Sequence, residues 1–423
     1  MREPTALYNA PVQMEPLVID SSRPLYEPLI GLAYELAELS SRIDAKVHPS
    51  TARGLADLVA GMNCYYSNLI EGQHTLPLDI DRALRELVKP EQKDLKSLAV
   101  AHVATERWAR SRSIGKDSLL PFVLEAHFRF CSALPEDMLR IEDGTKLTPG
   151  EIRRRDVQVG YHVAPAWQSL DAFLDRFVSF YGTRLESAGK GGTRKLAAIV
   201  AAFCAHHRFV WIHPFLDGNG RIARILLDAM LRACGINGAS LWSMSRGFAK
   251  TQAAYKAALA EADRSRMGDL DGRGTLSEKR LHDFCDYAIR TAIDQARFME
   301  GILDLDRIAQ RSEAYFTRVR FDIKGREAHE LFMRAFVHGE IERGEAARIT
   351  GLSERSARTL LGTLLDEGFL ESDTPKGKVR AGFPLHALGS LLPNLYPAGD
   401  LDVDVEQLKA ERRSRRLSNP RES

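Results

Sequence analysis

The sequence predicts a mainly α-helical protein with a short β-hairpin in its middle and a second two-stranded element near its C-terminal end. Apolar residues recur at steps of three and four positions over most of the 423-residue chain, which is the period of helices that bury one face. Strand-like patterns occur in two places, at 157–165 around a glycine and at 368–383. We therefore expect a helical core that carries two short hairpins.

The composition is that of an ordinary globular protein, with 44% hydrophobic and 27% charged residues, which excludes disorder of the whole chain. A net charge of +2 argues against nucleic-acid binding by the whole surface but allows a local basic patch. The five cysteines form no CxxC pair, so we expect reduced core thiols in a reducing compartment. The longest apolar run, 196–205, is shorter than the ~18 residues of a membrane span. With no apolar signal region at the N-terminus, we expect a cytoplasmic protein without a membrane partner.

The helices can be predicted in order along the chain. The first 25 residues contain four prolines and little periodicity, so we expect an extended arm on the surface. Helical periodicity begins near residue 28, and a glycine-rich loop is expected over 182–193. The predicted helices are 28–39, 56–70, 77–87, 94–111, 118–134, 169–184, 193–209, 220–234, 249–262, 277–311, 327–339, 344–349 and 353–367.

The segment between two of these helices, 213–224, carries the strongest functional signal. Its turn contains Gly218 and Gly220, which let the backbone approach a ligand closely. The free N–H groups at the start of the following helix favour an anion there. Arg221 and Arg224 lie three residues apart on one helical face and form a fork for phosphate oxygens. These features together predict a phosphate site.

The same segment supplies groups for chemistry on a phosphate. Asp217 offers the hard oxygen ligand that Mg²⁺ prefers when it is already bound to phosphates. His213 titrates near neutrality, so it can take a proton from an attacking hydroxyl. An anion cradle, an arginine fork, a metal ligand and a base within twelve residues predict phosphoryl or nucleotidyl transfer.

The segment His213-Pro-Phe-Leu-Asp-Gly-Asn-Gly-Arg-Ile-Ala-Arg224 resembles the signature of the Fic (filamentation induced by cyclic AMP) family, His-Pro-Phe-x-Asp/Glu-Gly-Asn-Gly-Arg-x-x-Arg, without a departure. The resemblance extends from about residue 63 to residue 259. The hairpin at 157–165 resembles the family's flap, which holds a target segment by strand addition. The flap residues are Val157, Gln158, Val159, Gly160, Tyr161 and His162.

The resemblance implies a protein adenylyltransferase with ATP as substrate and Mg²⁺ as cofactor. Such enzymes move AMP to a Tyr, Thr or Ser hydroxyl of a target protein or of themselves. The implied roles are His213 as base, Asp217 as Mg²⁺ ligand, Gly218, Asn219 and Gly220 at the α- and β-phosphates, Arg221 and Arg224 at the outer phosphates, and Tyr255 beside the adenine. The target protein and the oligomeric state are left open.

Upstream, Ser67-Asn-Leu-Ile-Glu71-Gly72 resembles the Ser/Thr-x-x-x-Glu-Gly/Asn motif of self-inhibiting Fic proteins whose inhibitory helix precedes the core. A carboxylate at a helix end can pair with Arg224 and occupy the place of the ATP γ-phosphate. ATP would then bind with its α-phosphate misaligned. In some Fic proteins the same glutamate orients a water for AMP removal, and the sequence leaves both activities open.

The C-terminal region resembles a winged helix-turn-helix. A turn at 350–352 separates two short helices, and the second helix would present Arg355 and Arg358 outward. Lys376, Lys378 and Arg380 lie on the predicted wing, where they could meet DNA phosphates. The alternatives are a protein–protein module and a DNA-binding regulator whose Fic core senses nucleotide.

The predicted organisation follows from these assignments. It comprises an N-terminal arm and helical region with the inhibitory helix over 1–115, a Fic core over 116–262, a helical extension over 263–325, a winged helix-turn-helix over 326–390 and a charged tail over 391–423.

Overall fold

A computed structural model describes residues 8–85, 95–141, 143–320 and 322–401, and these are mostly helical, as predicted. The helices are α1 (Tyr26–Lys46), α2 (Pro49–Ile70), α3 (Pro77–Leu84), α4 (Leu95–Arg110), α5 (Lys116–Ser132), α6 (Leu170–Ala188), α7 (Gly192–Ile212), α8 (Asn219–Ala233), α9 (Met244–Lys250), α10 (Gln252–Ala262), α11 (Glu278–Ile302), α12 (Leu305–Ala314), α13 (Gly325–His338), α14 (Ala346–Thr350), α15 (Glu354–Glu367) and α16 (Leu388–Leu391). Two antiparallel hairpins pair β1 (Gln158–Val159) with β2 (His162–Val163), and β3 (Leu370–Glu371) with β4 (Arg380–Ala381).

Helix α7 forms the centre of the core and ends directly before the segment 213–224, for which a phosphate site is predicted. It packs against α1, α6, α8 and α11, and every residue from Ala198 to Phe209 is buried. Among the described helices, α7 is the one with the length and apolarity to cross a membrane, and 78% of its most apolar stretch is buried inside the protein. The five cysteines are buried and unpaired, in agreement with the predicted core thiols.

The described part of the N-terminal arm, from residue 8, lies partly inside the core, whereas an arm on the surface was expected. Met14, Leu17 and Ile19 are buried. The buried guanidinium of Arg208 on α7 donates to the Pro16 carbonyl from Nη2 at 2.7 Å. The arm places its apolar residues without a helical period, so arguments from helical periodicity do not detect that it fills a groove.

The loop expected over 182–193 is wrong, because α6 continues to Ala188 and α7 already begins at Gly192. Gly182 lies inside α6, where a β-carbon would approach the Cα of Lys116 to 2.5 Å. The glycine thus permits close packing of α6 against the start of α5, and it does not make a turn. The helix expected over 277–311 is interrupted at Asp304, whose side chain caps α12 by accepting from the Arg307 N–H at 3.1 Å.

The C-terminal elements form in the predicted order. Leu370 pairs with Ala381 and Glu371 with Arg380, and a bridge between Ile341 and Val379 extends the hairpin. Of the charged tail expected over 391–423, the described part does not fit the prediction, because Leu392, Leu395 and Tyr396 are buried. Residues 402–423 lie outside the described residues.

This C-terminal module, residues 325–401, packs along the length of α2. The Thr51 hydroxyl near the start of α2 donates to the Phe336 carbonyl at 2.8 Å. Near its end, the Tyr66 hydroxyl donates to the Leu395 carbonyl, also at 2.8 Å. The last turn of α2 is therefore held between the module and the helical core.

Candidate functional site

The segment between α7 and α8 is a rigid loop. α7 ends at Ile212, His213 adopts a left-handed conformation (φ 50°), and Gly218 (φ 80°) precedes the first turn of α8. The buried side chain of Asn219 closes the loop, because its Oδ1 accepts from the Phe215 N–H at 2.9 Å and its Nδ2 donates to the Phe215 carbonyl at 2.8 Å. The Asn219 amide group thus shapes the loop, which leaves the backbone N–H groups at the start of α8 for an anion.

Arg153 holds this loop in place through hydrogen bonds to two of its backbone carbonyls. Its Nε donates to the His213 carbonyl at 2.8 Å, and its backbone N–H donates to the Pro214 carbonyl at 2.9 Å. Its Nη2 donates to the carbonyl of Pro165, the last residue of the predicted flap, at 2.6 Å. Burial lowers the pKa of Arg153 to about 10, so the group stays charged at neutral pH. Sequence reasoning missed Arg153, since it is one of three consecutive arginines, 153–155, and such a run carries no motif.

His213 lies at the rim of the loop with one ring nitrogen occupied. Nδ1 is 3.3 Å from the Val210 carbonyl, which can only accept, so Nδ1 carries the proton and Nε2 keeps a lone pair. Burial, and next the charge of His162, lower the pKa of His213 to about 4. The imidazole is neutral at pH 7 and can accept a proton at Nε2.

His127 on α5 also supports the loop, and sequence reasoning missed it. The His127 ring stacks on Phe215 at 3.8 Å between centroids. Its Nδ1 accepts from the Gly150 N–H at 2.9 Å, so Nε2 donates to the Asp217 carbonyl at 3.2 Å. Burial lowers the pKa of His127 to about 4, which keeps this tautomer neutral.

The inhibitory motif meets Arg224 as expected from the sequence. Arg224 donates from Nε to the Ser67 hydroxyl at 2.9 Å and from Nη2 to Glu71 Oε1 at 2.6 Å. A β-carbon at Gly220 would lie 2.3 Å from the same Oε1, so the carboxylate reaches the first turn of α8. Burial raises the pKa of Glu71, but the charges of Arg224 and Arg221 outweigh this effect and lower it overall.

Arg221 is held by the same end of α2. Its Nε donates to Asn68 Oδ1 at 3.1 Å, and its Nη2 donates to Gln73 Oε1. Gly72 takes a left-handed conformation (φ 79°) that turns the chain back, so the Gln73 N–H reaches the Asn68 carbonyl at 2.9 Å. Sequence reasoning missed Asn68 and Gln73, because their contact depends on how α2 packs on α8.

Tyr255 on α10 lies next to the Arg224 side chain and is 2% exposed. Its hydroxyl is 2.8 Å from His206 Nε2, and since His206 Nδ1 faces the Ala223 carbonyl at 3.1 Å, the hydroxyl donates. One face of its ring stacks on Phe248 at 4.1 Å. The adenine contact stays a prediction, because it requires this ring to become accessible.

The predicted flap is the hairpin of β1 and β2. Val159 pairs with His162 across it, and Val157 accepts from the Ala164 N–H at 3.1 Å. Tyr161 at the tip is fully exposed and Val159 is about half exposed. His162 Nε2 donates to the Trp211 carbonyl at 2.8 Å, which fastens the hairpin to the end of α7 beside His213. The other flap residues, Gln158 and Gly160, are exposed.

The Asp217 carboxylate is a suitable ligand for Mg²⁺ that is already bound to phosphates. Asp217 is exposed, and its Oδ1 accepts from the Gly218 N–H at 2.6 Å. Over residues 8–85, 95–141, 143–320 and 322–401, no three His, Cys, Asp or Glu side chains form a metal cluster. A single carboxylate with ligand phosphates and water completing the shell is the usual way proteins hold Mg²⁺.

Comparisons with known proteins agree with this geometry. Residues 123–231 match the Fic/DOC family. The chain is 37% identical over 86 residues to the proteins named "Protein adenylyltransferase Fic" of Drosophila willistoni and Drosophila virilis, which covers 20% of this chain and 16% of each relative. A crystal structure of a Fic family protein from Desulfovibrio desulfuricans matches with a TM-score of 0.50 at 17% identity, over 86% of this chain and 98% of that chain.

These likenesses differ in what they establish. The chain spans about a sixth of the length of the curated relatives it matches. The likeness to the solved structure, at 17% identity, concerns the fold. The matched region 123–231 contains His213, the loop after it, Arg221 and Arg224.

Proposed function

Because this chain is a Fic family protein, we propose that it is a protein adenylyltransferase that Glu71 restrains. It moves AMP from ATP to a tyrosine, threonine or serine hydroxyl of a target protein or of itself. The observation that carries the proposal is the arrangement of a neutral His213, a glycine loop at the start of α8 and two arginines within one twelve-residue segment.

In the proposed reaction the hydroxyl oxygen of the target attacks the α-phosphorus of ATP. His213 accepts the hydroxyl proton at Nε2 while the new oxygen–phosphorus bond forms. The bond between the α-phosphorus and the oxygen that bridges to the β-phosphate breaks, and pyrophosphate leaves with that electron pair. The products are an AMP ester of the target side chain and pyrophosphate.

The chain's own groups hold the triphosphate. The N–H groups at Gly218, Asn219 and Gly220 bind the α- and β-phosphates, since they lie at the positive end of α8. The Gly218 N–H has to leave Asp217 Oδ1, to which it donates at 2.6 Å, in order to do so. Arg221 and Arg224 bind the outer phosphates. Mg²⁺ held by Asp217 would neutralise part of the phosphate charge. The flap positions the target segment, with the exposed Tyr161 and Val159 as contacts.

The proposed restraint rests on the Glu71 carboxylate at the start of α8. While Glu71 binds Arg224, that arginine cannot bind an outer phosphate, and the triphosphate is displaced from the productive position. A β-carbon added at Gly220 would lie 2.3 Å from Glu71 Oε1. This supports the same conclusion, because the carboxylate occupies space beside the loop that would bind the phosphates.

Mass spectrometry of lysate proteins after incubation with the Glu71→Gly variant and ATP tests the proposal. We expect AMP on hydroxyl side chains, and the spectra identify the target and the residue type together. The same variant carrying His213→Ala is the control and should give none. A second arm, in which the modified target is returned without ATP to the wild type and to Glu71→Gly, tests AMP removal. Loss of AMP with the wild type but not with Glu71→Gly would assign that activity to Glu71.

A second candidate function is DNA binding by α15. Arg355 and Arg358 are exposed on this helix, and within the described chain neither has an ion-pair partner. The wing contributes less charge, since Lys378 pairs with Glu342 at 3.4 Å and Arg380 with Asp373 at 2.6 Å. Fluorescence anisotropy with a duplex of mixed sequence tests this candidate. The wild type should bind and lose affinity as salt is added, and Arg355→Ala with Arg358→Ala should abolish the binding.

A further inference from the structure

We propose that Asn68 and Gln73 form a second lock, which holds Arg221 while Ser67 and Glu71 hold Arg224. This inference rests on the proposed function, because it assumes that both arginines bind the triphosphate. Both arginines would then have to be released before the outer phosphates of ATP can bind. The lock on Arg221 consists of neutral side chains, which distinguishes it from the charged lock on Arg224.

The Arg221 guanidinium is engaged along the edge that recognises phosphate. An arginine holds a phosphate best through two parallel N–H donors, for which Nε and one Nη form a suitable pair. In Arg221, Nε donates to Asn68 Oδ1 at 3.1 Å and Nη2 donates to Gln73 Oε1. A phosphate that uses this edge must displace both amide oxygens.

Arg224 is engaged in the same way. Its Nε donates to the Ser67 hydroxyl at 2.9 Å, and its Nη2 donates to Glu71 at 2.6 Å. The two arginines thus present the same pair of nitrogens to the end of α2. Adjacent residues of its last turn, Ser67 and Asn68, accept from the two Nε donors. Glu71 and Gln73, after its end, accept from the two Nη2 donors, and Arg224 Nη2 also donates to the Ser67 carbonyl at 3.2 Å.

The second lock is preorganised by contacts of its own. Asn68 is fully buried, and its Nδ2 donates to the Thr75 hydroxyl at 3.1 Å, which orients Oδ1 toward Arg221. On its other side, the Arg221 guanidinium lies 5.4 Å from the centre of the Phe130 ring. This contact limits the room in which the guanidinium can turn toward a ligand.

The lock predicts opposite effects for two substitutions at Gln73. Gln73→Ala removes the acceptor for Nη2, so phosphate binding no longer has to displace it. Gln73→Glu puts a carboxylate on Arg221, and a charged acceptor binds a guanidinium more strongly than an amide does. If Gln73 instead oriented Arg221 for ATP, Gln73→Ala would weaken nucleotide binding.

The test uses the full chain with Glu71→Gly, so that the first lock is open, and a non-hydrolysable ATP analogue with Mg²⁺ in calorimetry. We expect Gln73→Ala to tighten binding by about 2- to 10-fold, the range of one neutral hydrogen bond. Gln73→Glu should weaken binding below that of the Glu71→Gly parent. Thermal unfolding of each variant verifies that it is folded.

Gln252→Ala is the matched control. The Gln252 side-chain amide donates to the Ile70 carbonyl at 2.9 Å, so it contacts the same end of α2 without contacting either arginine. We expect unchanged nucleotide affinity for this variant. Unchanged or weaker binding by Gln73→Ala would overturn the second lock alone, whereas no binding by the Glu71→Gly parent would overturn the proposed function.

Discussion

The carboxylate of Glu71 and the α-carbon of Gly220 approach each other so closely that a β-carbon at position 220 would lie 2.3 Å from Glu71 Oε1. Gly220 belongs to the first turn of α8, and Glu71 caps the end of α2, 149 positions earlier in the chain. Glycine at 220 therefore allows the carboxylate to enter the site as well as allowing a ligand to approach the backbone.

This contact predicts a dependence of Gly220→Ala on Glu71. In the wild-type background the new methyl group overlaps the end of the Glu71 side chain, so the carboxylate has to shift from Arg224. We expect this to cost about 1 kcal/mol of unfolding free energy, the value of a partly exposed ion pair. In the Glu71→Gly background the overlap is absent, so the cost should be much smaller. Urea unfolding of the four proteins measures the coupling. Equal costs in both backgrounds would show that Glu71 does not occupy this space.

A second prediction concerns Arg153, which fixes the loop through the His213 carbonyl at 2.8 Å. In the Glu71→Gly background, Arg153→Met should lower kcat by about 10- to 100-fold, because a base displaced by about 1 Å loses most of its effect. KM for ATP should change little, since Arg153 is a positioning residue without a place in the phosphate loop. The exposed neighbour Arg154 provides the control, and Arg154→Met should leave kcat unchanged.

The low pKa of His213 predicts the pH dependence of the reaction. The unprotonated imidazole is the reactive form, so a pKa of about 4 keeps the base available down to acidic pH. Protonation of His213 should therefore leave the rate of AMP transfer by Glu71→Gly constant from pH 8 to about 5.5. A histidine with the ordinary pKa of about 6.5 would be mostly protonated at pH 5.5, and the rate there would fall about tenfold. Initial rates across this range, with tryptophan fluorescence as a check of folding, measure it. An acid limb centred near the ordinary value would contradict the burial argument.

The packing of the C-terminal module on α2 predicts a strong effect on stability. Tyr396 is buried and its ring centre lies 5.3 Å from that of Tyr65, edge to face. Tyr396→Ala removes this ring from the core and should cost about 3–5 kcal/mol of unfolding free energy. Tyr396→Phe keeps the ring and should cost far less. Urea unfolding compares the two, and similar losses would indicate that the hydroxyl, not the ring, stabilises the contact.

Much of the fold and part of the site could be predicted from the sequence, because both rest on local signals. The helical period identified most helices, and a glycine between alternating residues identified the hairpin at 157–165. The meeting of Glu71 with Arg224 was expected from two short motifs, and the structure has this ion pair. The loop over 182–193 was wrong because Gly182 serves helix packing, which local sequence does not distinguish from a turn.

The supporting contacts of the site could not be predicted, because they join residues far apart in sequence. Arg153 and His127 reach the loop from separate elements, and each lacks a motif of its own. Asn68 and Gln73 face Arg221 only because α2 lies across the start of α8 and Gly72 reverses the chain. Such contacts depend on tertiary packing, and the buried N-terminal arm differs from expectation for the same reason.

The rate of AMP incorporation from ATP labelled at its α-phosphate is the measurement that tests the central claim most directly. The wild type, Glu71→Gly and Glu71→Gly with His213→Ala are compared at pH 7 with Mg²⁺. This claim, restraint by Glu71 and proton acceptance by His213, predicts a rate at least about tenfold higher in Glu71→Gly than in the wild type. It also predicts loss of incorporation when His213 is replaced as well. An equal or lower rate in Glu71→Gly, or full activity without His213, would contradict it.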